Sequence, residues 1–294
     1  MSFEQIAATF GPSACWLLLA WTAATGAALG SFAGVVVDRL PRHESVVWPR
    51  SRCASCRQRL TALELLPVLG WLALAGRCRR CRAWIGLRPL WLELGLMALS
   101  VALMVRLGPS WALLSQWPLV VVLLAIALLD IDWFWVPDVL SLPALAWALA
   151  TACCPGNRGL AAAALGLLPA ASLWAFAALY ARLCRREGVG LGDVKLLAVM
   201  GAALGPAGCL LALVLASLLG TVVGALVLLL GGHRQAAEGA ALPVALADDD
   251  WLPPPGAIPF GPFLVLGYYA VVLAPPDWLA CALDWPLGLA SASG

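Results

Sequence analysis

The chain alternates long uncharged stretches with short clusters of charge. Runs without an ionisable residue cover Gln5–Val37, Leu107–Leu129, Val139–Asn157, Gly159–Ala181, Leu196–Gly232 and Trp251–Pro276. A hydrocarbon core of roughly 30 Å is crossed by about 20 helical residues, so most of these runs can hold a spanning helix. Leu90–Val105 qualifies too, provided Glu93 faces other helices rather than lipid. As one helix, the run Leu196–Gly232 would reach about 55 Å. Gly205-Pro206 is its expected break, because proline removes an amide donor and clashes with the preceding turn. A short helix near Val194–Leu204 and a full span near Cys209–Leu230 result. The pattern predicts an all-α polytopic membrane protein with about eight transmembrane segments. The stretch before Gly205 could instead re-enter the face it starts from, which would reverse the topology after it.

Composition narrows the class. Of 294 residues 63% are apolar and 12% charged, against about a quarter charged in soluble domains. A soluble enzyme, a disordered chain, a coiled coil and a nucleic-acid-binding protein are excluded. The net charge of +2 hides an uneven distribution, since 11 of the 18 basic residues lie between Asp38 and Pro89. Such a loop stays on the cytoplasmic side of a membrane. Counting spans from it puts the Asp130–Asp138 turn and the Arg182–Gly192 loop on that face, and Arg182, Arg185 and Arg186 agree. The amino terminus then lies outside. Residues 1–12 contain Glu4 and no Lys or Arg, so they lack a signal peptide's basic region and read as part of a retained helix. The Gly231–Asp250 loop carries Arg234 against Glu238 and Asp248-Asp249-Asp250, which has little topological weight. The expected organisation is a first helix over 1–37, a cytoplasmic cysteine-bearing domain over 38–89 and a membrane-embedded domain over 90–294.

Within the basic loop, Cys53 and Cys56 form one C-x-x-C and Cys78 and Cys81 another, a spacing suited to a zinc ribbon. Flanking arginines are expected to favour the thiolates. Disulfides are the competing reading, but that face is reducing. A loop of this size builds little apolar core, so a structural Zn²⁺ would supply stability. Cys15, Cys153, Cys154, Cys184, Cys209 and Cys281 read as small apolar residues in helices. His43 and His233 have no partners in sequence reach and read as solvent or interface residues.

The carboxylates at the membrane face carry the candidate chemistry. Asp130 closes the third helix, Asp132 follows it, and Pro137-Asp138 opens the fourth. Asp193 opens the sixth after the glycine-rich turn Gly188-Val189-Gly190-Leu191-Gly192. Asp138 and Asp193 also fit helix N-caps. Asp130 and Asp193, however, project from different helices at the same depth beside long apolar runs, where a carboxylate is costly and usually functional. Two such groups within hydrogen-bonding distance share one proton, leaving one as base and the other as acid. That arrangement suits water-mediated cleavage of a peptide bond. Gly190 and Gly192 would let an extended backbone approach Asp193, and together with Lys195 and Asp138 are the expected substrate-positioning residues.

These residues resemble the bacterial type IV prepilin leader peptidase and N-methyltransferase family. The likeness runs through Gly30-Ser31-Phe32, Arg39-Leu40-Pro41, Cys53 to Cys56, Glu64, Pro67, Trp71-Leu72, Gly76-Arg77-Cys78 to Cys81, Arg88 and Glu93. It is most specific at Leu129-Asp130-Ile131-Asp132 to Pro137-Asp138 and Gly190-Leu191-Gly192-Asp193-Val194-Lys195, and includes Ile258-Pro259-Phe260-Gly261-Pro262. The resemblance implies catalytic Asp130 and Asp193, and zinc on Cys53, Cys56, Cys78 and Cys81. As substrate it implies a prepilin or pseudopilin whose basic leader is cut after a glycine at the cytoplasmic face. It also implies methylation of the new amino terminus from S-adenosylmethionine; no glycine-rich nucleotide-binding fold is evident to hold that donor. Membrane lipid is the remaining partner. The chain departs from the family pattern at Gly34, commonly Asn, and at Asp38.

The competing reading from another class is a transporter with a zinc-binding regulatory loop, in which Asp130 and Asp193 form an ion site. It predicts two related halves with matching broken helices, whereas the sequence shows no repeat and a single Gly205-Pro206 break. A scaffold in which both aspartates are caps is the third reading. It would tolerate Asp193→Asn at a cost of about 1 kcal/mol.

Overall fold

A computed structural model describes residues 11–185, 190–229 and 257–275. Expectations that fall on Arg186, Gly188, Val189, the Gly231–Asp250 loop with His233, Pro253–Pro255 and Cys281 lie outside the described residues. The described chain is helical, with no strand and two isolated bridges, Arg52 with Arg59 and Arg77 with Trp84. It divides into two compact units, residues 1–113 and 114–294.

The first unit is built on two helices, α1 (Pro12–Arg39) and α3 (Arg88–Leu107), with the short α2 (Leu69–Ala73) between them in sequence. Each long helix has a proline in its first turn, where an amide would have no partner anyway. α3 stops at Gly108, whose φ of 62° is open to glycine and whose N–H bonds the Met104 carbonyl. The two long helices approach closely because α1 presents glycine every fourth residue. A Cβ at Gly26 would lie 2.7 Å from the Leu96 carbonyl oxygen, and one at Gly30 would lie 2.5 Å from that of Leu92. This small-residue seam is how helices pack where water offers no hydrophobic drive.

In the second unit α4 (Trp111–Trp133) carries the buried Leu119, Val120, Leu123, Ile126 and Leu129. α5 (Asp138–Thr151), α6 (Leu160–Leu165), α7 (Leu168–Cys184) and α9 (Gly261–Leu273) all pack on α8 (Leu191–Leu229). Gly205 has φ 73° and ψ 176°, so α8 is two helices joined at Gly205-Pro206, the break expected from the sequence. Close backbone contacts again use glycine: Gly201 lies against Gly166, and Gly267 against the Ala212 carbonyl. Tyr269 donates to the Val120 carbonyl at 2.7 Å and Tyr268 to Gln116, tying α9 to α4.

Among the described residues five helices are long and apolar enough to cross a membrane: Pro12–Arg42, Arg88–Leu107, Trp111–Trp133, Leu160–Cys184 and Leu191–Leu229. Asp138–Thr151 and Gly261–Leu273 are apolar but shorter. The uncharged run to Asn157 is therefore not helical throughout. α5 ends because the Asn157 side chain donates to the Thr151 carbonyl at 2.6 Å, closing a turn through Pro155-Gly156. Cys153 and Cys154 consequently lie in this turn rather than in a helix, a correction to the sequence expectation.

Candidate active site and metal centre

Asp130 lies in the last turn of α4 and Asp193 in the first turn of α8, and their carboxylates interact electrostatically. Asp130 is 8% exposed, while Asp193 is half-buried. The Asp130 carboxylate is fixed by one hydrogen bond: the Gly261 N–H donates to Oδ2 at 3.0 Å. Gly261 is the first residue of α9, where helix amides lack partners within the helix and point at an anion. A Cβ there would lie 2.5 Å from Oδ2 of Asp130 and 3.1 Å from Leu196 Cδ1, so any other residue would displace the carboxylate or the helix start. Within the Ile258–Pro262 stretch, sequence alone assigns Gly261 no role. Its available signal was Gly-Pro at the head of an apolar helix.

The neighbouring residues sort differently from expectation. Asp138 is the first residue of α5 and makes no cap bond; the cap position is Pro137. Its carboxylate instead pairs with Lys195, one turn into α8, so the cap reading is replaced by an ion pair joining the starts of α5 and α8. Asp193 is likewise inside its helix rather than at its cap. A Cβ at Gly192 would lie 2.8 Å from Val136 Cγ2, so this glycine seats α8 against the turn before α5. At Gly190 a Cβ would stand 3.9 Å from the Asp193 carboxylate, in ordinary contact.

The four loop cysteines are brought together. Their sulfurs all lie within 4.8 Å of one another, with Cys53 and Cys81 3.7 Å apart and Cys56 and Cys78 4.0 Å apart. Those separations are far beyond a disulfide's ~2.0 Å. They match the edge of a tetrahedron with Zn–S bonds of about 2.3 Å, which is about 3.8 Å. The donor set therefore fits Zn²⁺ and leaves no open coordination position.

The two knuckles are built alike. Cys53 N–H bonds the Gln58 carbonyl and Arg57 N–H returns to Cys53, as Cys78 does with Ala83 and Arg82 with Cys78. Arg57 and Arg82 both turn through positive φ, 56° and 59°. Backbone N–H groups of Cys56 and Ser55 lower the Cys53 thiol to about 6. At Cys53 the stabilisation comes from amides rather than from the flanking arginines, which corrects the sequence expectation for that residue, while Cys81, beside the other three sulfurs, is raised to about 11. The loop has a small aromatic core in which Trp71 donates to the Gly86 carbonyl at 2.8 Å and meets Trp84 edge-on. Of the other described cysteines, Cys15 and Cys209 are buried in helices and Cys184 is exposed at the end of α7. His43 is exposed.

Residues 24–107 match the bacterial peptidase A24 N-terminal domain and residues 117–225 the type IV leader peptidase family. A prepilin leader peptidase/N-methyltransferase of Aeromonas hydrophila is 33% identical over 283 residues, covering 88% of this chain and 91% of that protein. Proteins of the same name from Burkholderia pseudomallei (strain K96243) and Myxococcus xanthus (strain DK1622) are 33% and 30% identical. They cover 89% of each chain and 96% of each chain respectively. No solved structure matches. With both family domains present, each aspartate inside the second, and relatives similar over nearly the full length, the chain belongs to the type IV leader peptidase family, a multi-pass membrane protein.

Proposed function

We infer that this protein cuts the leader peptide from a prepilin or pseudopilin precursor and then methylates the new amino terminus. The observation that carries the first half is the pairing of Asp130 and Asp193 from two helices, with Asp130 pinned by Gly261. Two carboxylates that act on one another in a site shielded from water hold one proton between them. The ionised one takes a proton from a water, whose oxygen attacks the scissile carbonyl carbon. The protonated one hydrogen-bonds the carbonyl oxygen and then delivers its proton to the leaving nitrogen as the C–N bond breaks. Which aspartate starts as base depends on the substrate pose. The Asp138–Lys195 pair and Gly190 flank the site and would position the substrate.

The leader is short and basic, is cut after a glycine, and reaches the site from the cytoplasmic face of a bacterial inner membrane. The arginine-rich loop sets that orientation, with eight segments and an outer amino terminus. Cys53, Cys56, Cys78 and Cys81 would hold one structural Zn²⁺ that braces this loop. Methylation joins the sulfonium methyl of S-adenosylmethionine to the new terminal nitrogen, which loses a proton as S-adenosylhomocysteine leaves.

Purified protein in detergent, given a prepilin-like peptide with and without S-adenosylmethionine, tests the reading by mass spectrometry. The expected products are the leader-free peptide, and the same peptide one methyl heavier when the donor is present. An uncut peptide would overturn the peptidase assignment. A cut but never methylated product would overturn the second activity alone.

A further inference from the structure

The loop joining α1 to α3 has an apolar face that its small aromatic core leaves uncovered. α2 turns Gly70 and Trp71 inward: a Cβ at Gly70 would lie 2.6 Å from the Glu64 carbonyl oxygen, and Trp71 donates to the Gly86 carbonyl. Leu63, Leu69 and Leu72 are left outside, 72%, 64% and 56% exposed. Leucines gathered on so short a stretch of surface mark a contact with an apolar phase or partner. Three observations identify what covers them.

The first is depth. α3 is long and apolar enough to cross a membrane, and its 20 residues reach about 30 Å, the thickness of a hydrocarbon core. Glu93 stands about 7.5 Å along it from Arg88. Its buried carboxylate accepts from the N–H of Val68, the residue before α2, at 2.6 Å. That hydrogen bond holds the start of α2 beside the first turns of a spanning helix, at the boundary between headgroups and acyl chains. The second is continuity. Leu87 and Trp91 are exposed one turn apart at the head of α3, with the Trp91 N–H bonded to the Leu87 carbonyl. Tryptophan is favoured at a membrane surface. Trp84 and Ile85, also exposed, precede them, and Trp84 meets Trp71 of α2 edge-on. Exposed apolar residues therefore lead from α2 to the lipid-facing side of α3. The third is charge. From Asp38 to Pro89 the chain has eleven arginines against Asp38, Glu44 and Glu64, and the knuckle arginines, Arg57 and Arg82 among them, are exposed. Such an excess attracts anionic headgroups, and it repels a basic peptide or a second copy of the same loop.

We propose that α2 and the leucines before it form an interfacial anchor. They lie in the acyl boundary of the bilayer surface from which α1 and α3 emerge, with the knuckle arginines on anionic headgroups. The Glu93–Val68 hydrogen bond sets the depth of the anchor, and the anchor seats the cysteine-bearing loop on the bilayer. The assignment is independent of either activity proposed above.

The test uses full-length, zinc-loaded protein in phosphatidylcholine vesicles with and without phosphatidylglycerol, doped with a phospholipid that carries a diazirine near the glycerol end of an acyl chain. Trypsin cutting after Arg59 and Arg77 releases residues 60–77 as one peptide. After illumination that peptide should carry lipid adducts, about twofold more of them in the anionic vesicles. Leu69→Glu combined with Leu72→Glu should lower the adducts about tenfold at unchanged zinc content. A 60–77 peptide free of adducts while peptides of α3 carry them would overturn the anchor, as would wild-type labelling in the folded double variant. Equal labelling in the two vesicles would overturn the part given to the arginines. Wild type alone decides the first and last of these, so misfolding of the variant leaves the test intact. Photo-leucine incorporated in place of leucine reports the other occupants. Crosslinks from residues 60–77 to residues 114–294 or to a second copy, in place of lipid adducts, would also overturn the assignment.

Discussion

At the scale of single residues, the geometry around Asp130 makes the sharpest demand. Gly261→Ala puts a methyl group 2.5 Å from Oδ2 of Asp130, so carboxylate or helix start must shift. A displacement of about 1 Å at a reacting group lowers rate by about 10²-fold. Gly261→Ala should therefore cut kcat for peptide cleavage by about that factor in a folded protein, and a wild-type kcat would refute the role given to this glycine. In the proposed mechanism the aspartates share a proton, so kcat/KM should follow a bell-shaped pH profile, with a flat one counting against the mechanism. The cysteines titrate too. Zinc binds thiolate, and within the cluster the Cys53 thiol is lowered to about 6 while Cys81, beside the other three sulfurs, is raised to about 11, so acid competes with zinc for the site. Zinc should accordingly be retained near neutrality and released in acid, measured as bound zinc after dialysis over a pH series. Release already at pH 8 would contradict that environment. The cysteine cluster was legible from its spacing. The amides that lower Cys53 were not, because they depend on the turn each knuckle makes.

Among elements, glycine sets how close helices come. Gly26 and Gly30 bring α1 against the backbone of α3. Gly30→Leu forces a side chain into the Leu92 carbonyl, and overpacking of this kind costs about 1–3 kcal/mol. The variant should lower the thermal midpoint of the detergent-solubilised protein, while Gly95→Leu, where a Cβ would meet nothing within 4 Å, should not. Equal midpoints would remove the close-packing account. The helix positions were readable because a bilayer tolerates charge only between spans, so uncharged runs mark them. The break at Gly205-Pro206 was readable from proline's missing amide. The end of α5 was not, since it depends on Asn157 reaching back to Thr151. Nor was the Asp138–Lys195 pair, which joins residues 57 positions apart and displaces the cap reading that a local view of Asp138 favours.

Across the whole molecule, chemistry is divided between units. Asp130 and Asp193 lie in the half matching the type IV leader peptidase family, the cysteine cluster in the half matching the A24 N-terminal domain. The membrane class and the clustering of the four cysteines were legible in the sequence. It did not reveal that α9, from far along the chain, supplies the donor that holds Asp130, because that contact spans 131 residues and exists only in the packed unit. The central claim is that Asp130 and Asp193 together cut a peptide bond. Its most direct test is cleavage of a prepilin-like peptide by wild type, Asp130→Asn and Asp193→Asn in detergent, read by mass spectrometry alongside zinc content and thermal midpoint. Each substitution removes one carboxylate at nearly constant shape. Cleavage should fall below detection in both variants, with zinc content and midpoint unchanged. Either folded variant that still cuts at a rate near wild type would contradict the paired-carboxylate mechanism.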